Sequence, residues 1–341
     1  MNRLKKVSMQ DIADALGISK YAVSLALNGK NGVSEKTRTA VVQMATQMNY
    51  ASMGANPDGA SQKIMVLVPE YIRDDNYFYN IIYWTLDLEV AAHGYQAISA
   101  VVTAQMQADN ELPPLYREMS FAGVILIGVF EESYVRLLQA GTDYLVAVDQ
   151  SYSSLELDSV VSDNIQGSYQ ITNYLIQQGH TRIGYVGSIT MTDSIFERWC
   201  GYRKAMIEAN LPIVEEYSIL APSALNDLLS DTDELLDLLK KCREYPTAWV
   251  CGGDRIAAAL INATESLHMR VPEDMSVVGF DNIEAGQMVR PALTTVNVER
   301  KKMASLAVEV LLDRLSGAQG PLKYVIPTEI VIRDSVKPLR A

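Results

Sequence analysis

Cysteine and histidine are scarce in this 341-residue chain, three of each. Cys200, Cys242 and Cys251 are odd in number and match no CxxC or zinc-ligand spacing. A disulfide framework and a structural metal site are therefore not expected, and the thiols read as reduced cysteines of a cytoplasmic protein. His93, His180 and His268 fall in predicted helix ends or turns, none beside a plausible nucleophile. No phosphate-binding GxxxxGK[ST] loop and no GxSxG elbow occurs. These gaps argue against an enzyme and predict neither cofactor nor metal. Long apolar runs are missing as well. The longest, such as VILIGVF from Val124, fall far short of the roughly 20 residues a membrane helix needs and read as buried parallel strands. The opening MNRLKKVSMQ is basic with no apolar stretch behind it, so no secretory signal is expected.

Charge is unevenly divided. Residues 1–63 carry eight Lys or Arg against four Asp or Glu, whereas the remainder carries 21 against 37. A small basic head on an acidic body suits an anionic partner for the head alone.

Residues 8–48 read as three short helices. Ser8, with Asp11 three residues on, makes a capping box for MQDIADAL, and Gly17 breaks that helix. Ser19 caps KYAVSLALN, which ends at Asn28–Gly29, and Ser34 caps a third helix containing Thr37. Two short helices joined by a glycine turn make a helix-turn-helix, whose second helix lies in the major groove with its front residues on base edges. The outward positions there are Lys20, Tyr21 and Ser24. Ser8, Ser19, Asn28, Ser34 and Thr37 sit at helix ends, where hydroxyls and amides take phosphates as readily as they cap.

The run SMQDIADALGISKYAVSLALNGKNGVSEKTRTAVVQMATQMNY resembles the DNA-binding head of the lactose-repressor (LacI/GalR) family. That family often has a polar residue directly after the recognition-helix serine. Here Leu25 stands there, which implies an apolar contact such as a thymine methyl, or none. The family usually continues into a hinge helix that wedges a leucine pair into the minor groove. Residues 51–63, ASMGANPDGASQK, contain no leucine, two glycines and a proline, and read as a flexible linker.

From Ile64 onward apolar strands alternate with amphipathic helices, the pattern of parallel sheets covered on both faces. The predicted fold is therefore α/β, a helix-turn-helix head on a two-lobed core of parallel sheets. Ligands in such sheets bind beyond the carboxyl ends of the strands. Asp149, Asp254 and Asp281 follow strands, Arg198 opens the helix after YVGS, and Tyr77 and Phe78 open the first helix of the body. A polyhydroxyl ligand wants carboxylates and an arginine as bidentate partners and an aromatic face to stack on. Asp149, Arg198 and Asp281 with Tyr77, Phe78 and Phe196 supply both. Asp254 and Asp163 fit a helix N-cap equally well.

The body resembles the same family, whose core is similar to periplasmic sugar-binding proteins. The resemblance rests on NYFY, GHTRIGYVGS, ERWCGYRKAM, VPEDMSVVGFDNIEAGQMVRPALTTV and VIRDS. It implies that Asp149, Arg198 and Asp281 contact an effector. Gly253 stands where the family usually has asparagine, which points away from an ordinary hexose. The implied division is 1–50 for the DNA-binding head and 51–63 for the linker. Residues 64–163 with 293–322 form the N-terminal lobe, and 164–292 with 323–341 the C-terminal lobe. The helices near Tyr77–His93 and Arg300–Ser316 would carry a homodimer contact, and two heads would read a near-palindromic operator. The expected function is a sequence-specific repressor controlled by a small, carbohydrate-like effector. A sugar-binding sensor governed by a protein co-regulator stays open as the alternative. Effector identity, and whether it releases or promotes DNA binding, are not written in the sequence.

Overall fold

The computed structural model describes residues 9–27, 32–47, 62–72, 78–190, 192–220 and 232–339. The head comprises α1 (Met9–Leu16), α2 (Lys20–Leu27) and α3 (Glu35–Gln47), each packed on the other two. Ile12, Ala13, Val23, Ala26 and Val41 form its core, with Leu16, Ile18, Val33 and Met44 against them. Gly17 turns the chain between α1 and α2 at φ +66°, a left-handed conformation that glycine adopts without a Cβ penalty. The Ile18 amide then returns to the Ala13 carbonyl at 3.1 Å.

The first lobe begins with β1 (Lys63–Pro69), α4 (Tyr79–Ala92), β2 (Gln96–Val102), α5 (Ala104–Ala108) and α6 (Pro114–Glu118). It continues through β3 (Gly123–Ile127), α7 (Glu132–Gln139), β4 (Leu145–Val148) and β5 (Asp158–Ser162). The second lobe holds α8 (Asn164–Gln177), β6 (Ile183–Val186), α9 (Asp193–Glu208), α10 (Thr232–Lys240), β7 (Ala248–Cys251), α11 (Asp254–Ser266), β8 (Ser276–Val278) and α12 (Glu284–Met288). The chain closes with β9 (Thr295–Asn297), α13 (Arg300–Leu315), β10 (Lys323–Ile326) and β11 (Glu329–Val331).

Strand pairing in the first lobe is parallel throughout, in the order β10-β5-β4-β3-β1-β2. Alternate residues feed opposite faces, as the strand period requires. Ile64, Val66, Ile125, Ile127, Val146 and Val148 join the layer containing α4 and α13. Met65, Leu67, Val124, Leu126, Leu145 and Ala147 join the opposite layer with Tyr116, Phe121 and Tyr134. Burial on both faces is why these strands are apolar without a break. The second lobe's parallel sheet runs β6-β7-β8, extended by bridges from Val186 to Ile219 and from Val278 to Thr294.

The expected lobe boundaries need correction at the carboxyl end. β10 pairs in register with β5, Lys323 opposite Ser159 through Ile326 opposite Ser162, so residues 323–326 lie in the first lobe's sheet and not the second. Thr294 bridges to β8 and Asp281 to Asn297, so the return to the first lobe comes at α13 rather than at residue 293. The short β10 alternates exposed and buried residues as an edge strand does, and its sequence KYVI carries no mark of which sheet it joins.

Two contacts hold the second lobe together. Gly201, buried in α9, lets that helix touch α8: a Cβ there would run into the Ile165 carbonyl oxygen and lie 2.9 Å from the Ser168 Cβ. Gly201→Val is expected to cost about 1–3 kcal/mol by overpacking, read as a lowered urea midpoint with unchanged slope. His180 is a structural staple. Its ring nitrogens meet the Thr247 hydroxyl at 3.0 Å and the Lys337 carbonyl at 3.1 Å, tying the chain's end to the second lobe. Burial holds its pKa below the ordinary histidine value, so it packs as the neutral ring.

Candidate functional site: a helix-turn-helix face and an interlobe carboxylate cluster

On the head, the Ser19 hydroxyl accepts the Ala22 amide proton at 3.1 Å and caps α2. Lys20 and Tyr21 stand exposed at the front of α2, Tyr21 at 72%. Leu25 is half-buried, with its Cδ1 close against Gly32, because it packs toward the loop leading into α3. Ser34 caps α3 through the Thr37 amide at 3.1 Å and bonds the Thr37 hydroxyl at 2.8 Å. Arg38 donates to the Ala26 carbonyl at 3.1 Å, binding the end of α2 to α3. Ser24 lies on α2 between these positions, while Ser8 and Asn28 lie outside the described residues. The exposed front of α2 thus carries one cation and one phenol, flanked by capped helix starts.

Between the lobes, Arg198 is the hub. Its Nη2 meets Asp281 Oδ1 at 2.9 Å, its Nε donates to Asn164 Oδ1 at 2.9 Å and its Nη1 donates to the Gly252 carbonyl at 2.6 Å. The guanidinium also lies 3.9 Å from the Phe280 ring centroid, a cation–π contact. The Arg198 and Asp281 side chains are only 6% and 18% exposed, so the pair is largely desolvated.

Asp149 leaves the end of β4 at φ +67° and is 7% exposed. Tyr79 Oη donates to its Oδ2 at 2.8 Å, whereas its Oδ1 has no protein donor among the described residues. Burial pushes its pKa up to about 7, against opposing pulls from Arg198 and the Tyr79 hydroxyl. Gln150 is equally buried. Its Nε2 donates to the Ser151 carbonyl at 3.0 Å and Asp193 Oδ2 at 3.3 Å, and its Oε1 is without a donor among the described residues. Asn164 Nδ2 donates to Glu197 Oε2 at 3.0 Å, and Glu197 pairs with Lys323 at 3.3 Å across the lobes.

Asp149, Arg198 and Asp281 therefore come together as the sequence suggested, whereas Asp254 does not join them. Asp254 is fully buried, and its carboxylate turns into the second lobe. It accepts from the Thr295 hydroxyl and, at 2.9 Å, from the Ile283 amide. Both oxygens are occupied by protein donors, so Asp254 is corrected from a ligand contact to a lock on the loop after β8. Burial lifts its pKa to about 8. Asp163 proves to be the N-cap of α8, accepting the Gln166 amide at 3.1 Å. Phe196 is 46% exposed and leans on Trp199, with ring centroids 5.7 Å apart. Phe78 is buried edge-on against Tyr79, centroids 5.0 Å apart, with Arg300 over it at 5.8 Å. Tyr77 lies outside the described residues. Sequence reasoning missed Tyr79, Gln150, Glu197 and Phe280 as members of this cluster. Gln150 and Phe280 adjoin strand ends, and proximity to residues already singled out was the available signal.

No group of His, Cys, Asp and Glu suited to holding a metal occurs among the described residues, and no described helix is long and apolar enough to cross a membrane.

Residues 8–52 match the model for bacterial regulatory proteins of the lacI family, and residues 172–336 match the periplasmic binding protein-like domain. The HTH-type transcriptional repressor CytR of Escherichia coli (strain K12) is 29% identical over 339 residues, covering 97% of each chain. The HTH-type transcriptional repressor PurR of Vibrio campbellii is 26% identical over 338 residues, covering 97% of this chain and 99% of that protein. Among solved structures, the transcriptional regulator CelR–cellobiose complex superimposes with a TM-score of 0.71 at 23% identity, covering 96% of this chain and 99% of that one. The lac repressor dimer bound to operator and the anti-inducer ONPF gives 0.68 at 20%, covering 98% and 100%. At such identities the structural likeness carries the fold alone, and the two family matches and the full-length relatives carry the rest. The chain belongs to the lacI family of bacterial regulatory proteins, a DNA-binding head joined to a periplasmic-binding-protein-like core, and is a transcription regulator rather than an enzyme.

Proposed function

We propose that this protein is a dimeric repressor whose hold on a near-palindromic operator is set by a small, carbohydrate-like molecule bound between the core lobes. The observation that carries the effector half is the unpartnered Oδ1 of Asp149, buried between two sheets and within the field of Arg198 and Asp281. A buried carboxylate oxygen without a donor costs free energy in the empty protein, which a ligand hydroxyl recovers on binding. Interlobe bonds from Gln150 to Asp193, Lys323 to Glu197 and Arg300 to the Asn282 carbonyl are contacts that would be lost if the lobes moved apart. Such differences are what couple two sites.

Full-length relatives named as HTH-type transcriptional repressors support the repressor half. For the dimer, Trp84 and Leu88, one helical turn apart on α4, are 59% and 69% exposed, beside the edge strand β2 with Val101 at 38%. Large apolar side chains left in water on a helix and the adjoining sheet edge suit a two-fold partner.

A thermal-shift screen of sugars, sugar phosphates and nucleosides tests the effector, because a ligand of the folded state alone raises the melting temperature by mass action. The shift given by any hit is expected to vanish in Asp149→Asn while operator binding persists. A full shift in that variant removes the cluster from the ligand site. On the head, Lys20→Ala is expected to weaken operator binding about tenfold and to reduce the salt slope by about one phosphate contact. An unchanged gel-shift titration across salt would take Lys20 off the interface.

A further inference from the structure

Helix α9 carries apolar side chains on the side that faces water. Arg198, Gly201, Tyr202, Ala205 and Met206 are buried on its inner side. On the opposite side Phe196, Cys200, Arg203 and Ile207 follow one another at spacings of four, three and four residues. They make a stripe about three turns and 16 Å long. A surface helix ordinarily gives that side to polar groups, yet Phe196 is 46% and Ile207 60% exposed. Trp199 widens the stripe, its ring 5.7 Å from that of Phe196. Along it lies a shallow hollow of about 370 Å³ lined by Trp199, Cys200, Arg203, Lys204, Ile207 and Glu208.

Two cations lie in the middle of this face. The Arg203 guanidinium sits 4.7 Å over the Trp199 ring, and the Lys204 ammonium 4.9 Å over the ring of Tyr169 on α8. Neither forms an ion pair among the described residues. The carboxylates of α9 itself are engaged elsewhere. Glu208 accepts from the Tyr169 hydroxyl at 2.7 Å, Glu197 pairs with Lys323 at 3.3 Å and Asp193 accepts from Gln150 at 3.3 Å. A guanidinium stacked on a ring keeps its edge N–H groups for a carboxylate.

We infer that the outer face of α9 docks an acidic amphipathic helix of another protein. The partner's apolar stripe covers Phe196, Trp199 and Ile207, and its flanking Asp or Glu residues meet Arg203 and Lys204, the helix-on-groove mode with charge setting the register. Charge disfavours a second copy of this chain. A two-fold contact through this face sets Arg203 and Lys204 against their own counterparts. Duplex DNA fits less well, since it carries a phosphate charge for about every 1.7 Å of axis. Two cations on a body with 21 basic against 37 acidic residues are few for that, and Phe196 and Ile207 offer nothing to a sugar-phosphate backbone. The face is separate from the effector cluster, because Arg198 leaves the other side of the helix.

Fluorescence anisotropy on the purified full-length protein, in about 0.15 M salt, tests this with two labelled helical peptides of about 16 residues. Both carry leucines at i, i+3, i+4 and i+7, flanked by glutamates in one and lysines in the other. The glutamate peptide is expected to bind with a Kd below about 100 µM. The double variant Arg203→Glu, Lys204→Glu is expected to weaken it at least about tenfold and to gain affinity for the lysine peptide. Ile207→Ser, at the most exposed apolar position of the stripe, is expected to weaken it about fivefold with an unchanged melting temperature. No binding up to about 1 mM, or an affinity unchanged in either variant, overturns the inference. Two other results also overturn it. A random DNA duplex whose binding is lost in the double variant gives the face to nucleic acid, and an oligomer larger than a dimer that Ile207→Ser dissolves gives it to a second copy.

Discussion

Replacing Arg198 with alanine is expected to lower the stability of the core by about 3–5 kcal/mol, the cost of stripping one partner from a buried ion pair. Three losses combine at one position. Asp281 is left at 18% side-chain exposure with its nearest cation gone. The Gly252 carbonyl and Asn164 Oδ1 lose their guanidinium donors. The Phe280 ring, 3.9 Å from the guanidinium, borders a cavity. Urea unfolding followed by tryptophan fluorescence reads the change, since Trp199 and Trp249 lie in the same lobe. Arg198→Lys keeps the charge and gives up the planar fork, so it should fall between the two. A loss below about 1 kcal/mol for the alanine variant would show the pair to be a surface-like contact and the hub to be misassigned.

The second large effect is one of pH. Asp149 and Asp254 both sit with folded pKa values raised by burial, to about 7 and about 8, above the roughly 3.9 of an unfolded aspartate. Each group binds its proton more tightly folded than unfolded. Their contribution is therefore fully present below pH 4, declines as pH rises toward 7–8, and is level beyond. Asp149→Asn removes one ionisation while keeping shape, and asparagine tolerates the left-handed backbone at φ +67°. At pH 8 this variant is expected to be more stable than the parent, on the order of 1–3 kcal/mol. Near pH 4.5 the two should coincide. Melting temperatures across pH 4.5–8 provide the comparison, and parallel curves would refute the assignment. A residue whose removal stabilises the protein while abolishing ligand binding is what a binding site in tension with folding predicts.

The parts of this molecule that sequence made plain share one physical property: their pattern is dictated by burial. The β1 segment IMVLV and the β3 segment GVILI are apolar without a break because both faces of the sheet are covered, and that run is visible in one dimension. Asp149 and Asp281 were accessible for a related reason, since a carboxylate straight after an apolar strand has to stand at the strand's carboxyl end. What position could not convey was direction. Asp254 and Asp281 both follow strands of the second lobe, yet one points into the lobe and the other at Arg198. Which occurs depends on Thr295 and Ile283, contributed from beyond the next strand. Tyr79 was not legible because Tyr77 and Phe78 just before it offered the same aromatic signal, while its hydroxyl reaches Asp149 across 70 positions of sequence. The allegiance of β10 was hidden for the same reason, its partner β5 lying more than 150 residues upstream.

That last pairing has a bearing on how the protein comes into being. The first lobe's sheet needs β10, and one of its covering layers needs α13, yet both are encoded in the final tenth or so of the chain. While the ribosome is still translating the second lobe, the first stands with the β5 edge bare and the Ile125, Val146 and Val148 part of one face without its α13 cover. The basic head has its own core and needs none of this. A nascent polypeptide could thus own a finished DNA reader long before it owns a finished receptor, and a message truncated near its end would yield a reader beyond metabolite control.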